Sequence, residues 1–362
     1  MGQNQRVEAL DYLRGGMAIS IMVYHYVCTS VGDPDGNTIL GRLGIYGVSL
    51  FYIISGSSLF LAYRQSTWEG AKVFEFWKKR LLRLTPVYWI ACLGFLLVLW
   101  RNYSLEVVLL NLSMSFGFLG YTKAIPAGGW SIGNEVCFYL AFPLIIVCSR
   151  RWVLLGLLLL LSFLSYVYFA FGMLNAQQSL AEQWFTYIHP LNQVFLFVAG
   201  VVVAKFSSEV SRFRLNNGSA LVLLAASLSL LLAYENTADM IQLVIGSNRL
   251  VFTVLCVLAT YSCFNLCFAG STFFEKWLKH LGEISYSIYM LHSVVFFFIQ
   301  KIFVKAIFSG VPLVYVAMFL SVPVTLVLAS FSYRFIEVPF VRLGKLKEGG
   351  FFQNVKIVFS KQ

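Results

Sequence analysis

Apolar runs long enough to cross a lipid bilayer recur along this sequence, and they limit the folds open to it more than any other feature. The chain has 362 residues, of which 59% are hydrophobic and only 12% are charged. A soluble protein carries about 25% charged residues, and a helix needs roughly 20 mostly apolar residues to span a membrane. The sequence therefore predicts an all-α, polytopic membrane helical bundle.

The apolar runs predict about ten transmembrane helices joined by short connections. The shortest connection, Ser149-Arg150-Arg151, permits only a tight helical hairpin, and no Gly/Ser-rich or Pro-rich linker divides the chain. We therefore expect one transmembrane domain over residues 1–345 and a short cytoplasmic tail over 346–362. The predicted spans are 8–30, 44–63, 83–101, 131–149, 152–171, 187–205, 217–234, 249–268, 284–304 and 311–333.

The remaining charge is basic, +11 overall, and its distribution sets the predicted orientation. With the N-terminus placed in the cytoplasm, most of the 27 lysines and arginines fall on the cytoplasmic side of the spans. Positive residues collect on that side of membrane proteins, so both termini are predicted to be cytoplasmic. The bilayer thus explains the basic charge, and no nucleic-acid partner is expected.

Arg14 and His25 are ionisable residues inside the first predicted span. Eleven residues of helix make about three turns, so the two side chains share nearly one face, roughly 16 Å apart. Charged groups inside a membrane are costly and usually mark a ligand path or a reaction centre. Arginine presents a fork of donors suited to phosphate or carboxylate, and histidine exchanges a proton near neutral pH. In the alternative interpretation, Arg14 pairs with Asp11 and His25 makes a polar contact between helices.

Three further charged residues stand near the ends of predicted spans. Glu135 enters span four from the outer side, about 7 Å deep, and there it would either orient His25 or bridge helices one and four. Arg80 and Arg83 lie one turn apart at the cytoplasmic start of span three. They predict a phosphate site or, equally well, a charged helix end in contact with lipid headgroups.

Span nine carries a polar stripe. Ser285, Tyr289 and His292 are spaced i, i+4, i+7 and share one helix face. Such a stripe is expected to face protein or a water-filled path, and either packing or ligand contact would explain it. The seven cysteines lie mostly in apolar runs without paired spacing, so neither a metal site nor a disulfide framework is expected.

Six segments, in this order, resemble the acyltransferase-3 family of integral membrane enzymes. Each alone is a weak signal, and their order over residues 7–343 carries the resemblance. Some members continue into an extracytoplasmic SGNH hydrolase-like domain, whereas this chain resembles the type without it, so we expect a self-sufficient membrane domain. The six segments are Arg14-x10-His25, Gly47–Gly56, the Arg80–Arg83 start of span three, Trp130-Ser131-x3-Glu135, Ser285–His292 and Ile336-Glu337-x-Pro339.

The resemblance implies transfer of an acyl group, usually acetyl, to a hydroxyl of a surface polysaccharide such as the O-antigen of lipopolysaccharide, or of a related glycan or glycolipid. Acetyl-CoA would be the donor, consumed as a co-substrate, and no metal is implied. The implied location is the bacterial inner membrane. The implied catalytic residues are His25 and Glu135. The residues implied to bind CoA are Arg14, Arg80 and Arg83, and those implied to line the substrate path are Ser131, Ser285, Tyr289 and His292.

A second class of function fits the same residues, namely an exporter of polysaccharide or of a lipid-linked sugar, whose polar groups would line a translocation path. The sequence shows no internal repeat and no broken helices in matching halves, which speaks against this class. A scaffold without chemistry leaves Arg14 unexplained. No pattern in the sequence identifies the acceptor, the hydroxyl that is modified or the oligomeric state.

Overall fold

The computed structural model of the chain is built from helices. It describes residues 7–99, 102–234, 239–268, 270, 272–304 and 313–346, and no strand occurs among them. The helices are α1 (Glu8–Ser30), α2 (Ile39–Tyr63), α3 (Gly70–Leu99), α4 (Leu105–Leu112), α5 (Phe116–Leu119), α6 (Gly129–Cys148), α7 (Trp152–Tyr168), α8 (Trp184–Tyr187), α9 (Pro190–Glu209), α10 (Asn217–Ala233), α11 (Gly246–Asn265), α12 (Phe273–Phe298), α13 (Leu313–Ser332) and α14 (Val338–Lys345).

Each predicted span overlaps one long helix, which confirms the prediction of a polytopic, all-α bundle. Within the described ranges, eight helices are long and apolar enough to cross a membrane. Helices α1 and α10 fall outside that group, and α10 is shorter than the others, with 17 residues. The number of crossings and the cytoplasmic location of both termini stay predictions. Residues 311–312 of predicted span ten and 347–362 of the predicted tail lie outside the described residues.

Helix α3 differs from the predicted span 83–101, because it begins at Gly70. The predicted span begins directly after a group of basic residues, because these were expected to mark the membrane boundary. Lysine and arginine are good helix formers, and Lys79 pairs with Glu75 one turn earlier at 2.5 Å, so the helix continues through them. Arg83 therefore lies well inside α3, about 20 Å from its first residue.

The chain divides into two compact units, each made of two separate stretches. The first unit contains Met1–Ser66 and Leu144–Ser285, and the second contains Thr67–Pro143 and Tyr286–Gln362. Of the three boundaries, one falls between α2 and α3 and the other two fall inside α6 and α12, so these two helices contribute residues to both units. The single domain over 1–345 stays a prediction.

In the first unit, α2 and α9 cross at two glycines. A Cβ atom at Gly56 would overlap the carbonyl oxygen of Phe197, and one at Gly200 would overlap that of Ile53. Ser57 donates a hydrogen bond to the carbonyl of Gly200 at 2.8 Å. Small residues let membrane helices approach closely, where van der Waals contacts and hydrogen bonds hold them together. The glycine that ends the α2 motif is therefore a helix-packing residue.

In the second unit, the segment that follows α3 packs back against it. The hydroxyl of Tyr88 donates to the side-chain oxygen of Asn111 at 2.5 Å, and the ring of Tyr88 stacks on Phe116 with centroids 5.3 Å apart. Helix α5 approaches α6 so closely that a Cβ atom at Gly117 would overlap the carbonyl oxygen of Gly133. The segment between α3 and α6 thus contains two short helices, α4 and α5, packed on α3 and α6.

A π-helical turn, Tyr333–Glu337, joins α13 to α14 in the second unit. Pro339 stands in the first turn of α14, where its missing N–H causes no loss. Glu337 is 4% exposed, an unusual position for a carboxylate. Single π-turns inside helices are rare and often occur at functional sites.

Candidate functional site

Arg14 is held by two partners within the first unit. Its Nη1 donates to Asp11 Oδ1 at 3.0 Å, and its Nη2 donates to Ser58 Oγ at 3.0 Å. Asp11 is 3% exposed, so the ion pair is buried at its acidic end. The pairing with Asp11 that the sequence allowed as an alternative is therefore present. Together the two bonds fix the guanidinium between α1 and α2.

The turn of α1 that carries this pair lies against α12. A Cβ atom at Gly15 would come within 2.8 Å of the backbone nitrogen of Gly282, and a Cβ at Gly282 would overlap the carbonyl of Asp11. Only glycine permits so close a backbone approach without a shift of either helix. The contact therefore sets the depth at which Asp11 and Arg14 sit in the unit.

His25 lies three turns further along α1, in the same unit. Its ring centroid is 5.4 Å from that of Tyr24, with the planes tilted by 50°. Tyr24 packs directly on α2, where a Cβ at Gly44 would overlap its ring. The backbone carbonyl of His25 accepts a hydrogen bond from Thr29 at 2.8 Å. The packing of α1 on α2 thus positions a half-buried imidazole, a group suited to proton transfer.

Glu135 belongs to a charge network in the second unit. Arg83 interacts electrostatically with Glu135, with Glu337 and with the phenols of Tyr139 and Tyr286. Tyr139, one turn after Glu135 on α6, donates its hydroxyl hydrogen to Glu135 Oε1. One arginine therefore lies among two carboxylates.

Serine and tyrosine hydroxyls support this network. Ser287 Oγ is 3.3 Å from Glu337 Oε2 and 3.3 Å from Ser332 Oγ. Tyr286 donates to the carbonyl of Leu84 at 2.6 Å, next to Arg83 on α3. Residues of α3, α6, α12 and the π-turn thus meet around a single guanidinium group.

The grouping of Arg83 with Glu135 differs from the predicted layering. The sequence interpretation placed Arg83 at the cytoplasmic boundary and Glu135 near the outer face, because it took Arg83 as the first residue of its span. Since α3 begins at Gly70, Arg83 reaches the level of Glu135. The two residues predicted for separate sites are neighbours.

Arg80 lies one turn before Arg83. Its guanidinium carbon is 5.8 Å from the centroid of the Phe76 ring, and it interacts electrostatically with Tyr139. Arg83 interacts with the same tyrosine. The two arginines therefore share a side of α3, as their spacing predicts, and α6 lies next to it.

Two of the predicted path residues contact each other in the second unit. Ser131 Oγ and the Tyr289 hydroxyl are 2.8 Å apart, and the carbonyl oxygen of Gly128 lies 2.9 Å and 3.1 Å from them. Gly128 has a φ of +77°, and a Cβ there would press on the Tyr289 hydroxyl. The His292 ring centroid is 6.0 Å from that of Tyr289. Ser131, Tyr289 and His292 therefore form one polar group.

Ser285 does not join this group. Its hydroxyl donates to the carbonyl of Gly282 at 2.8 Å, within its own helix, and it belongs to the first unit. His292 also makes a local contact, with its Nδ1 3.2 Å from the carbonyl oxygen of Ile288.

Sequence reasoning assigned no role to four residues of these clusters. Ser58 follows Ser55 and Ser57 in an apolar helix, and Glu337 is a carboxylate beside an apolar span, the same signal that singled out Arg14. Tyr139 stands i+4 from Glu135, within reach on one helix face. Tyr286 had no signal, because a tyrosine in a membrane helix is common.

The described residues contain no group of three or more His, Cys, Asp or Glu side chains that could hold a metal ion. All seven cysteines are free thiols. The clusters are thus made of proton-carrying groups, hydroxyls and guanidinium groups.

Comparison with known proteins places almost the whole chain in one family. The acyltransferase-3 model, described as an acyltransferase domain, matches residues 7–330. The exopolysaccharide production protein ExoZ of Rhizobium meliloti (strain 1021) is 28% identical over 317 residues, which cover 84% of this chain and 92% of ExoZ. The O-acetyltransferase OatA of Staphylococcus aureus (strain NCTC 8325 / PS 47) is 24% identical over 399 aligned positions, which cover 96% of this chain and 60% of OatA. No solved structure matches the chain.

The matched region runs from α1 into α13 and includes Arg14, His25, Glu135 and Tyr289, whereas Glu337 lies beyond it. Eight described helices that can each cross a membrane make the protein multi-pass. The chain therefore belongs to the acyltransferase-3 family, and it is a membrane-embedded acyltransferase.

Proposed function

We propose that this protein transfers an acyl group, acetyl in the simplest case, from cytoplasmic acyl-CoA to a hydroxyl of a cell-surface glycan or glycolipid. The observation that carries the proposal is the family match over residues 7–330, which encloses ionisable side chains held inside membrane helices. The names of two relatives support the acceptor class, since one is an O-acetyltransferase and the other serves exopolysaccharide production. The O-antigen is one such acceptor, and the bacterial inner membrane is the proposed location.

His25 is the proposed general base. Its imidazole takes the proton of the acceptor hydroxyl while that oxygen attacks the thioester carbonyl carbon, and a C–O bond forms. The C–S bond then breaks, and the imidazolium returns the proton to the leaving CoA thiolate. A half-buried histidine beside Tyr24 suits this role, because an imidazole nitrogen can take up a proton and later release it.

Glu135 is the proposed orienting carboxylate for His25. The two residues belong to different units, and their pairing stays a prediction. Within its own unit, Glu135 is tied to Tyr139 and Arg83. Arg83 lies among two carboxylates, whereas Arg14 pairs with one, so Arg83 is the weaker anchor for phosphate. We therefore assign to Arg83 the positioning of Glu135 rather than donor binding.

Arg14 and Arg80 are the proposed contacts for the CoA phosphates. Arg14 suits this task because Asp11 and Ser58 hold its guanidinium in place, and a fixed fork of donors binds an anion with little loss of entropy. The roughly 16 Å between Arg14 and His25 along α1 matches a donor with phosphates at one end and a thioester at the other. Bound acyl-CoA supplies the activated acyl group.

Ser131, Tyr289 and His292 are proposed to line the path of the substrate. Their hydroxyls and ring nitrogens lie in one group, and a polar group inside a membrane helix bundle needs partners. Ser285 is part of the same helix stripe, but its hydroxyl bonds to a carbonyl of its own helix. Its proposed contribution to the path is its place on the helix face and not its hydroxyl.

The experiment is a transfer assay with purified protein in lipid nanodiscs, in which radiolabelled acetyl-CoA is supplied and free CoA is measured. His25→Ala should abolish transfer and leave acyl-CoA binding unchanged. His280→Ala, a histidine on the exposed start of α12, is the matched control and should transfer at the wild-type rate. Mass spectrometry of surface glycans from cells with and without the gene should show one acetyl increment.

Wild-type transfer by a folded His25→Ala protein would refute the mechanism. If the protein releases no CoA and the surface glycans keep the same mass, the transferase function itself is wrong, and an exporter becomes the better explanation.

A further inference from the structure

Arg249 is a buried cation that the proposed mechanism does not use. It stands in the first turn of α11 in the first unit and is 2% exposed. Its guanidinium carbon lies 3.8 Å from the centre of the Tyr166 ring, and its Nη2 donates to the backbone carbonyl of Asn192 at 3.2 Å. Its Nη1 is buried and has no hydrogen-bond partner among the described residues.

The guanidinium charge of Arg249 also has no carboxylate partner among the described residues. Arginine stays protonated inside proteins, and an unpaired charge at membrane depth is costly. A ligand that brings a negative charge to Nη1 would therefore bind with the full benefit of a buried, charge-assisted hydrogen bond.

Asn192 offers an unsatisfied acceptor on the same side of the first unit. The residue has no exposed surface, and its Nδ2 donates to the carbonyl of Tyr187 at 2.7 Å. That bond fixes the orientation of the amide and leaves Oδ1 buried without a partner among the described residues. Buried polar atoms are nearly always hydrogen-bonded. An orphan donor and an orphan acceptor thus accompany a direct contact between Arg249 and Asn192.

Aromatic side chains surround this pair. Tyr46 interacts electrostatically with Arg249, Tyr166 and Tyr187, and Tyr187 interacts with Tyr24, the neighbour of His25. Sites for small organic ligands combine aromatic walls with a few fixed polar groups. The Arg249–Asn192 pair therefore has one tyrosine ring in direct contact with the guanidinium and further tyrosines within electrostatic range, the last of them next to the proposed base.

We propose that Arg249 and Asn192 form a subsite for an acidic sugar residue of the acceptor. The sugar carboxylate accepts from Arg249 Nη1, and a neighbouring hydroxyl of the same sugar donates to Asn192 Oδ1. The inference rests on the proposed function and adds the chemical class of the acceptor. Both residues stand in the first turns of their helices, at the ends predicted to be outer, which is the side on which a surface glycan would meet them.

The test is ligand-dependent thermal stability of the purified protein in a neutral detergent, without acyl donor. Glucuronic acid is the probe, glucose is its neutral match, and inorganic phosphate and phosphatidylglycerol micelles are the other anions. Glucuronic acid should raise the Tm in a concentration-dependent way through ligand linkage, with an apparent Kd at least about ten-fold lower than that of glucose. His25→Ala should keep this response even though its transfer is lost, so the subsite and the mechanism fail independently.

Three variants test whether the rise in Tm with glucuronic acid comes from Arg249 and Asn192. Arg249→Gln and Asn192→Asp should remove it, the first by deleting the cation and the second by placing a competing carboxylate beside it. Arg249→Lys covers the case in which Arg249→Gln does not fold. It should raise the apparent Kd for glucuronic acid about ten-fold, since a lysine does not have the forked donors of arginine. Arg42→Gln is the matched control, a buried arginine of the same unit whose Nη1 donates to Leu232, and it should keep the response.

Equal Tm shifts with glucuronic acid and glucose, or an unchanged glucuronic acid response in Arg249→Gln, would overturn the subsite. A response to phosphate or phosphatidylglycerol without one to glucuronic acid would overturn the assignment to an acidic sugar and point to a headgroup or a free phosphate.

Discussion

Asp11 and Arg14 form an ion pair that also lies in the proposed donor site, so its structural role and its binding role must be separated. Asp11→Asn removes the carboxylate and keeps the guanidinium, whereas Arg14→Gln removes the guanidinium and keeps the carboxylate. The double variant removes both charges. Because only Arg14 is proposed to contact CoA phosphates, the three variants should differ in acyl-CoA KM even where they agree in stability.

The expected loss of stability follows from the geometry of the pair. Unit charges 3.0 Å apart attract by about 5 kcal/mol at an effective dielectric constant of about 20. Removal of one partner from a buried pair costs about 3–5 kcal/mol. The side chain of Arg14 is 18% exposed, which favours the lower end of that range. A loss of about 3 kcal/mol lowers the Tm by roughly 6–12 °C.

Asp11→Asn should therefore unfold several degrees below the wild type and raise the acyl-CoA KM much less than Arg14→Gln does, because Ser58 still holds the guanidinium. Arg14→Gln should lose stability as well and raise the KM for acyl-CoA at least about ten-fold, the effect of one lost charged hydrogen bond. The double variant should recover stability but not KM. Thermal unfolding in detergent and the CoA-release assay measure the two properties on the same samples.

A wild-type KM in the double variant would show that Arg14 serves the fold alone, and the donor site would have to lie elsewhere. Equal KM increases in Asp11→Asn and Arg14→Gln would show that disruption of the pair, rather than loss of a phosphate contact, impairs the enzyme.

Two other outcomes test the packing and the charge network. Glu337→Gln should lower kcat about ten- to a hundred-fold, the range for a lost charged hydrogen bond, with little change in acyl-CoA KM. Arg83→Gln/Glu337→Gln should add little to that loss, and independent additive losses in steady-state kinetics would contradict the network. Gly56→Ala should cost about 1–3 kcal/mol through overpacking at the α2–α9 crossing, measured by thermal unfolding. Gly156→Ala, where a Cβ meets open space, is its control, and an equal loss there would refute the packing argument.

The helical architecture was predictable because membrane helices can be recognised in a sequence by their length and their apolar composition. The ends of the helices were not predictable. Helix α3 continues through the basic residues that precede the predicted span 83–101, whereas the prediction places the membrane boundary at those residues. Charge at a helix surface and charge at a membrane surface look the same in a sequence. As a result, the predicted layering separates Arg83 from Glu135, whereas the fold brings these two residues together.

The candidate site was predictable where a residue type was out of place. Arg14, His25 and Glu135 drew attention because each is costly in a membrane. Their partners were harder to find, because Ser58 and Tyr286 are ordinary residues in membrane helices and act only through positions set by packing. The close approach of α1 to α12 depends on Gly15 and Gly282, and no local pattern in the sequence pairs two glycines so far apart.

The π-turn before α14 makes the number of residues in this helix part of its chemistry. A π-turn holds an additional residue relative to an α-helical turn, and each residue of an α-helix advances the chain by about 100°. Deletion of one residue from Tyr333–Glu337 would allow regular α-helical hydrogen bonds there and change the directions in which the side chains of this segment point. Such a variant would have nearly unchanged hydropathy and composition, yet its carboxylate or its C-terminal helix would face the wrong neighbours. In this region, an insertion or deletion is therefore a stronger change than most substitutions.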